Sequence, residues 1–497
     1  MEAYLLGDYS VPQHIRGQRP SGTMVKKQKG YYYVYEYTST SVKVTLEDGT
    51  SKWKTVIKMG PCIGRITESD GFIPNNSSLR SGEQTVLEYG AYFFIKQFSK
   101  PSFDLLKDVF NVDDAAQIYA VACVFVAEGF TYMKNISTFY EESVLSRFFP
   151  SLKMGQDALH TLYDRLGRKG GFADEFEQRL LERSSGKIAI DGHVIACTAS
   201  NSDLSAYGYK SKKIGSEQIN WMTAYDVQTG KPLVNQMFNG ADPDKTSVQI
   251  LFSRFQFNNT LFLIDRGFNT ETDKKLMSEN GNSYIVPMIS GRKDYVWVYE
   301  QIRFDKRRNF IYDKNSYSSL VYYQEFRLEN NKRYLAFLDT TRQSAERVTY
   351  IKKMGEHVKG YTREGLSENE KNFGLFLIET SDMEKNAKQI FYDYKSRWGI
   401  ETFYDYIDNT LDFNALYQQD YCRMQGLSFI MQIAGMIFND LKDITDKNNI
   451  SLTNAMLLLK GIKVVRERKR WMIRNVNKER RKLCEKLGLS LPVIFET

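Results

Sequence analysis

The chain has 497 residues, of which 42% are hydrophobic and 26% charged, the balance of a folded protein and not of a disordered or fibrous one. That length exceeds what one hydrophobic core serves, so several domains are expected. Sixty-eight Lys and Arg against 60 Asp and Glu leave a formal charge of +8, too small an excess to identify a polyanionic partner unless it is concentrated somewhere.

The five cysteines, Cys62, Cys123, Cys197, Cys422 and Cys484, form no C-x-x-C pair, which argues against a zinc ribbon or a disulfide framework and fits a reducing cytoplasm. Residues 1–18 lack the basic-then-apolar order of a secretory leader. The most apolar runs, 118–127 and 426–438, fall short of the roughly 20 residues of a membrane span and are expected as buried core helices. No membrane partner is expected.

In chain order, residues 1–80 read as a small β unit, because aromatic and polar residues alternate from Tyr31 to Tyr37 and a Glu47-Asp48-Gly49 turn follows. Residues 81–185 show helical spacing, with Leu105, Leu106, Val109 and Phe110, then 115–132, then Leu159, Leu162 and Leu166, and are a candidate DNA-binding domain. The loop at Arg165, Arg168 and Lys169 could touch a phosphate backbone or simply end a helix. From 186 to 290 the pattern becomes strand at 187–197, strand at 219–227, strand at 232–238, helix at 247–255, strand at 261–264, helix at 270–279 and strand at 283–287. This is an α/β order with a mixed sheet. Residues 291–375 suggest a β-rich insertion, with strands at 295–299 and 333–338. Helix is expected from Met383 to the end, as 376–430 and a basic tail, 431–497.

With 60 acidic residues, acidic triples arise by chance, so placement must discriminate. Asp191 interrupts an apolar strand and Asp265 ends another. An unpaired carboxylate there loses hydration at a cost of several kcal/mol, so a divalent metal or a basic side chain should meet each. Further on, Tyr394, Arg397 and Glu401 fall on one helical stripe while Ile400, Phe403, Ile407 and Leu411 form another. A guanidinium grips phosphate and a carboxylate can complete a metal site, although an ordinary i,i+4 ion pair would look the same. His193 shares the strand face of Asp191 and is expected to hydrogen-bond at the site's edge, while Asp242 and Asp244 read as turn residues. Between Lys460 and Lys486, twelve basic residues face three acidic ones, a net of +9. Lys463, Arg466, Arg468, Lys469, Arg470 and Arg474 are accordingly candidates for DNA contact.

With Tyr394-x-x-Arg397-x-x-x-Glu401, Asp191-Gly192, Asp265-Arg266-Gly267-Phe268 and the Asn201 to Gly208 segment in place, the chain resembles the DDE transposases of bacterial insertion sequences, in the superfamily named after insertion sequence four. The Cys62-Ile63-Gly64-Arg65-Ile66 segment also looks like a subgroup of them. The resemblance implies a ribonuclease-H-like core with a β-strand insertion, a metal-binding catalytic triad of Asp191, Asp265 and Glu401, and phosphate contacts from Tyr394 and Arg397. It implies two Mg²⁺ ions, with Mn²⁺ able to substitute, and Trp297 stacking on an unpaired base. It also implies double-stranded DNA partners, both the element's terminal inverted repeats and a target, a homodimer, and a cytoplasmic, nucleoid-associated location in a bacterium. In this pattern a Lys follows the Glu by seven residues; here that position is Asp408. A metal-dependent nuclease without strand transfer and an inactive DNA-binding derivative are the alternatives.

Overall fold

Alternation of aromatic and polar side chains produces, in the computed structural model, a four-stranded antiparallel sheet of β1 (Thr23–Gln28), β2 (Tyr31–Thr45), β3 (Ser51–Thr67) and β4 (Gly71–Pro74). Val25 pairs with Val34 across β1 and β2, and together with Ile66 they pack on Val11 and Ile15, the latter from the short α1 (Gln13–Arg16). The structure describes residues 11–45, 51–68, 71–74, 85–314, 317–328, 332–467, 470–492 and 494–495. The Glu47-Asp48-Gly49 turn, and Arg468 and Lys469, lie outside the described residues. Two units are distinguishable, one of 1–87 with 464–474 and 493–496, the other of 88–463 with 475–492.

The tail departs from the expectation of continuous helix. Strands Lys463–Glu467 and Arg470–Arg474 join β5 (Val86–Glu88) in a small sheet. Val464 and Trp471 are buried there, and β-branched and aromatic residues favour such half-buried pleats over a basic helix.

The larger unit begins with α2 (Gly90–Phe98), α3 (Lys100–Lys107), α4 (Val112–Glu128), α5 (Met133–Glu142), α6 (Leu145–Phe148), α7 (Gln156–Leu166) and α8 (Phe172–Glu182). Next come β6 (Lys187–Cys197), α9 (Ser211–Ile214), β7 (Glu217–Asp226), β8 (Lys231–Asn239), α10 (Asp244–Arg254), β9 (Leu261–Ile264), α11 (Glu271–Leu276) and β10 (Ser283–Pro287). These strands stand in the order β8-β7-β6-β9-β10, with β6, β7 and β8 antiparallel and β9 parallel to both β6 and β10.

Beyond β10 the expected β-rich insertion extends the same sheet. After α12 (Lys293–Glu300) come β11 (Asn309–Lys314), β12 (Tyr317–Arg327), β13 (Arg333–Asp339), α13 (Thr340–Gly355), α14 (Arg363–Asn369) and β14 (Leu375–Thr380). β14 returns antiparallel against β10, pairing Ile285 with Thr380, so the sheet continues β10-β14-β13-β12-β11. Residues 295–299, expected as a strand, are helical in α12. Val298 is buried against Met288, Tyr334, Ala336 and Leu377, and Tyr295 stacks on Tyr299 one turn away at 6.0 Å. Short aromatic runs suit either period, and packing chose the helical one.

The rest comprises α15 (Ala387–Ser396), α16 (Trp398–Asn409), β15 (Ala415–Leu416), α17 (Tyr421–Lys447), α18 (Leu452–Lys460) and α19 (Lys478–Leu487). Both apolar runs are buried as expected, in α4 and α17. Among the described residues no single helix is long and apolar enough to cross a membrane.

α17 also covers the edge of the sheet. Among the described residues strand β8 has no strand neighbour beyond it, which would leave its outer backbone groups unpaired. Gln425 donates to Met237 O at 2.6 Å and accepts from Met237 N–H at 3.0 Å. One and two turns on, Ser428 donates to Asn235 O at 3.0 Å and Gln432 to Leu233 O at 2.7 Å. Glu177 of α8 accepts the Asn235 N–H at 2.9 Å.

Candidate active site

Strand β6 carries Asp191 one residue beyond Ile190, which pairs with Ile264 of the parallel strand β9, and Asp265 follows Ile264 directly. Two carboxylates 74 positions apart in sequence are therefore neighbours in space, Asp191 within β6 and Asp265 just past the carboxyl end of the parallel strand β9. Lys187 at the start of β6 holds Asp393 of α15 at 2.7 Å. That ion pair and the capping box of Asn386 and Gln389 fix the helix carrying Tyr394.

The expected single helix through Tyr394, Arg397 and Glu401 is two helices meeting at Arg397, whose backbone remains right-handed. The turn is tightened, with Arg397 N–H on Tyr394 O and Ile400 N–H on Arg397 O, both at 3.1 Å. Ile400, Phe403, Ile407 and Leu411 are all buried, so the packing stripe read from the sequence is real. Beside that stripe stands Arg397, whose Nη2 lies 2.5 Å from Glu401 Oε1 and whose Nη1 lies 3.6 Å from Asp191 Oδ2.

Asp191, Asp265, Tyr394, Arg397 and Glu401 act on one another electrostatically. Burial pushes the Asp191 carboxyl up to about 6; Arg397 and the Gly192 N–H pull it down, while Asp265 and Glu401 push it further up. Burial works against the Arg397 charge, but Tyr394, Asp191, Glu401 and Asp265 more than offset that and raise its pKa. Burial likewise raises the Tyr394 phenol, with Arg397 opposing and Asp265 adding. Asp191, Asp265 and Glu401 thus sense one another around one guanidinium.

Three hard oxygen donors repelling one another in a partly desolvated place are the donor set a divalent cation such as Mg²⁺ takes, and in chemistry they fit it. Among the described residues, no three His, Cys, Asp or Glu side chains are already gathered to hold a metal ion. Arg397 supplies the positive charge between Asp191 and Glu401.

Spacing alone singled out neither Tyr404 nor the partner of His193. Tyr404 donates to the Asp191 carbonyl oxygen at 2.8 Å, pinning α16 to β6. His193 stacks on that ring at 4.7 Å and meets Asp408 Oδ1 through Nε2 at 2.9 Å. Asp408, which stands where the resembled pattern has a Lys, is engaged by His193, the hydrogen-bonding role expected of that histidine. Asp244, read as a turn residue, starts α10 with its Oδ1 3.1 Å from where a Cβ on Gly192 would lie. Asp242 offers its carbonyl to Asn220 at 2.7 Å.

The remaining candidates lie on other elements. Trp297 is 40% exposed on α12 and packs edge-on against Phe326 at 5.8 Å. Lys463 is paired with Glu88, and Arg466 and Arg474 are exposed. Arg470 begins its strand. Arg165 is held by both oxygens of Asp114, at 3.0 and 2.6 Å, which favours a structural role in its loop. Beyond the ends of β9 and β10 a cavity of about 430 Å³ opens, lined among others by Asn269, Lys274, Arg292, Tyr295 and Glu379.

The family model described as "Transposase DDE domain" matches residues 182–434, just over half of the chain. This chain belongs to the DDE transposase family. The matched span contains Asp191, Asp265, Tyr394, Arg397 and Glu401, every residue of the convergent cluster in this transposase. Among solved structures, the transposase is similar to one described as the cryo-EM structure of a piggyBac transposase synaptic complex with hairpin DNA. That likeness has 10% identity and a TM-score of 0.39 and covers 76% of this chain and 82% of that one. No curated protein sequence matches the transposase.

Proposed function

We propose that this DDE transposase cuts DNA at the terminal inverted repeats of its own insertion sequence and joins the freed ends to target DNA. The observation that carries the reading is the pairing of Ile190 with Ile264, which sets Asp191 beside Asp265 where Arg397 and Glu401 arrive from the helix pair. Supporting a ribonuclease-H-like core is the order β8-β7-β6-β9-β10 with its three parallel central strands. The Tyr394, Arg397 and Glu401 spacing supports membership of the superfamily named after insertion sequence four.

Asp191, Asp265 and Glu401 would hold two divalent ions, Mg²⁺ or in its place Mn²⁺. Such ions activate the attacking oxygen and stabilise the leaving one. Water is the first nucleophile and the 3′ hydroxyl it frees is the second, so no covalent enzyme intermediate forms. Arg397, already poised between two carboxylates, turns its planar fork to the phosphate and holds it in line. Tyr394 orients that guanidinium. Asp191, with its pKa raised to about 6, is ionised at neutral pH and can serve as a ligand. The basic residues of 463–474 contact the phosphate backbone of the double-stranded ends. Action as a homodimer in the bacterial cytoplasm, on nucleoid DNA, completes the reading.

The test is to incubate the full chain with DNA bearing the element's ends, Mg²⁺ and a target plasmid. Cleaved ends and joined product are expected, and Asp191→Asn, Asp265→Asn and Glu401→Gln should each lower both by at least a thousandfold. Cleavage without joining would favour the nuclease reading. Activity that survives EDTA and all three substitutions would refute the assignment of the site.

A further inference from the structure

After β6 delivers Asp191, the chain makes a loop whose backbone is fastened at many points. Ala206 and Gln218 exchange backbone hydrogen bonds at 3.1 and 2.9 Å, and Gly240 N–H donates to Leu204 O at 2.9 Å. The wholly buried Gln218 side chain donates to Gly240 O at 2.9 Å and accepts the Lys210 N–H at 3.1 Å. Ser211 Oγ accepts the Gly208 N–H at 2.8 Å. A Cβ on Gly208 would come within 2.2 Å of Gly240 O, so only glycine permits this approach.

Such anchoring normally buries side chains, yet here it displays them. Tyr207 is 75% and Tyr209 66% exposed, and Lys212 and Lys213 are exposed beside them on α9. Among the described residues neither tyrosine hydroxyl has a hydrogen-bond partner and neither Lys212 nor Lys213 has an ion-pair partner. Residues 207–213 contain three lysines and no acid. Lys210 sits over the Tyr209 ring at 5.4 Å and acts electrostatically on Asp244, the same carboxylate that lies against Gly192 next to Asp191. The loop therefore borders the strand that carries the candidate catalytic residue.

We propose that Tyr207, Tyr209, Lys210, Lys212 and Lys213 form a platform for an unpaired DNA strand beside the site. Two exposed aromatic faces two residues apart can take successive bases, and the lysines neutralise the phosphates that follow. A duplex hides the faces of its bases, so tyrosines have no purchase on it, whereas phosphate contact alone would need only the lysines. Because the loop is fixed beforehand, little ordering cost opposes binding. The inference rests on the transposase reading, in which strands separate at the cut.

The test uses the full chain in EDTA with a fluorescein-labelled 15-nucleotide single strand and the duplex of the same sequence, read by fluorescence anisotropy. Tyr207→Ala/Tyr209→Ala should weaken single-strand binding about tenfold or more and leave duplex binding within twofold, with an unchanged melting temperature because both side chains are exposed. Tyr207→Phe/Tyr209→Phe should retain single-strand affinity. Wild-type-like single-strand affinity in the alanine variant would overturn the proposal, as would an equal loss on duplex. If the tyrosines carry single-strand binding but the wild-type protein neither cuts nor joins with Mg²⁺, the platform stands and the transposition reading falls. Cutting and joining by an alanine variant with wild-type strand affinity would be the reverse.

Discussion

Replacing Arg397 with Gln would expose whether three carboxylates share one cation. With Nη1 3.6 Å from Asp191 and Nη2 2.5 Å from Glu401, the attraction at an effective dielectric of about 20 is roughly 5 and 7 kcal/mol respectively. Much of that is cancelled by the cost of desolvating the guanidinium, and breaking such a pair by removing one partner leaves a net loss of about 3 kcal/mol. For a unit of roughly 400 residues this corresponds to about 3–4 °C in melting temperature. The loss should be largest near pH 8, where the carboxylates are ionised, and should shrink near pH 5, below the Asp191 value of about 6. Adding Mg²⁺ should restore more stability to Arg397→Gln than to wild type, since the ion then takes the place of the missing charge. Differential scanning fluorimetry with and without Mg²⁺ at the two pH values reads all of this. A deficit independent of both pH and metal would refute the reasoning, because the carboxylates would then not face one another.

Two further outcomes follow from packing and burial. Gly426→Ala would push a Cβ to 2.2 Å from Tyr163 O, where α7 crosses α17, so a loss of about 2–3 kcal/mol is expected in urea unfolding; an unchanged midpoint would contradict that close approach. Burial raises the Glu177 carboxyl from 4.5 to about 8, so the folded state keeps a proton that the unfolded chain has released. Stability contributed by Glu177 should therefore fall as pH rises from about 4.5 to 8, by roughly 2–3 kcal/mol between pH 6 and 9. Glu177→Gln should flatten that dependence, and equal slopes for the two proteins would remove Glu177 as its cause.

What the sequence by itself determined was local. Apolar β6, interrupted at Asp191, and β9, followed by Asp265, are legible as buried strands because only a sheet covered on both faces tolerates such hydrophobic runs. The stripe of Ile400, Phe403 and Ile407 is legible because helical period alone sorts a buried face from a chemical one. The family motifs pointed to three particular carboxylates, a choice no periodicity could make.

Tertiary structure alone decided what depends on partners remote in sequence. Residues 295–299 and 470–474 have compositions that suit helix or strand, and their surroundings chose between them. Asp408 has its partner in His193, 215 positions away. Gln425, Ser428 and Gln432 interrupt an apolar helix for no reason visible along the chain. Their purpose appears only when α17 lies on the unpaired edge of β8, because a hydrogen bond requires its partner in space and local sequence says nothing of who that partner is.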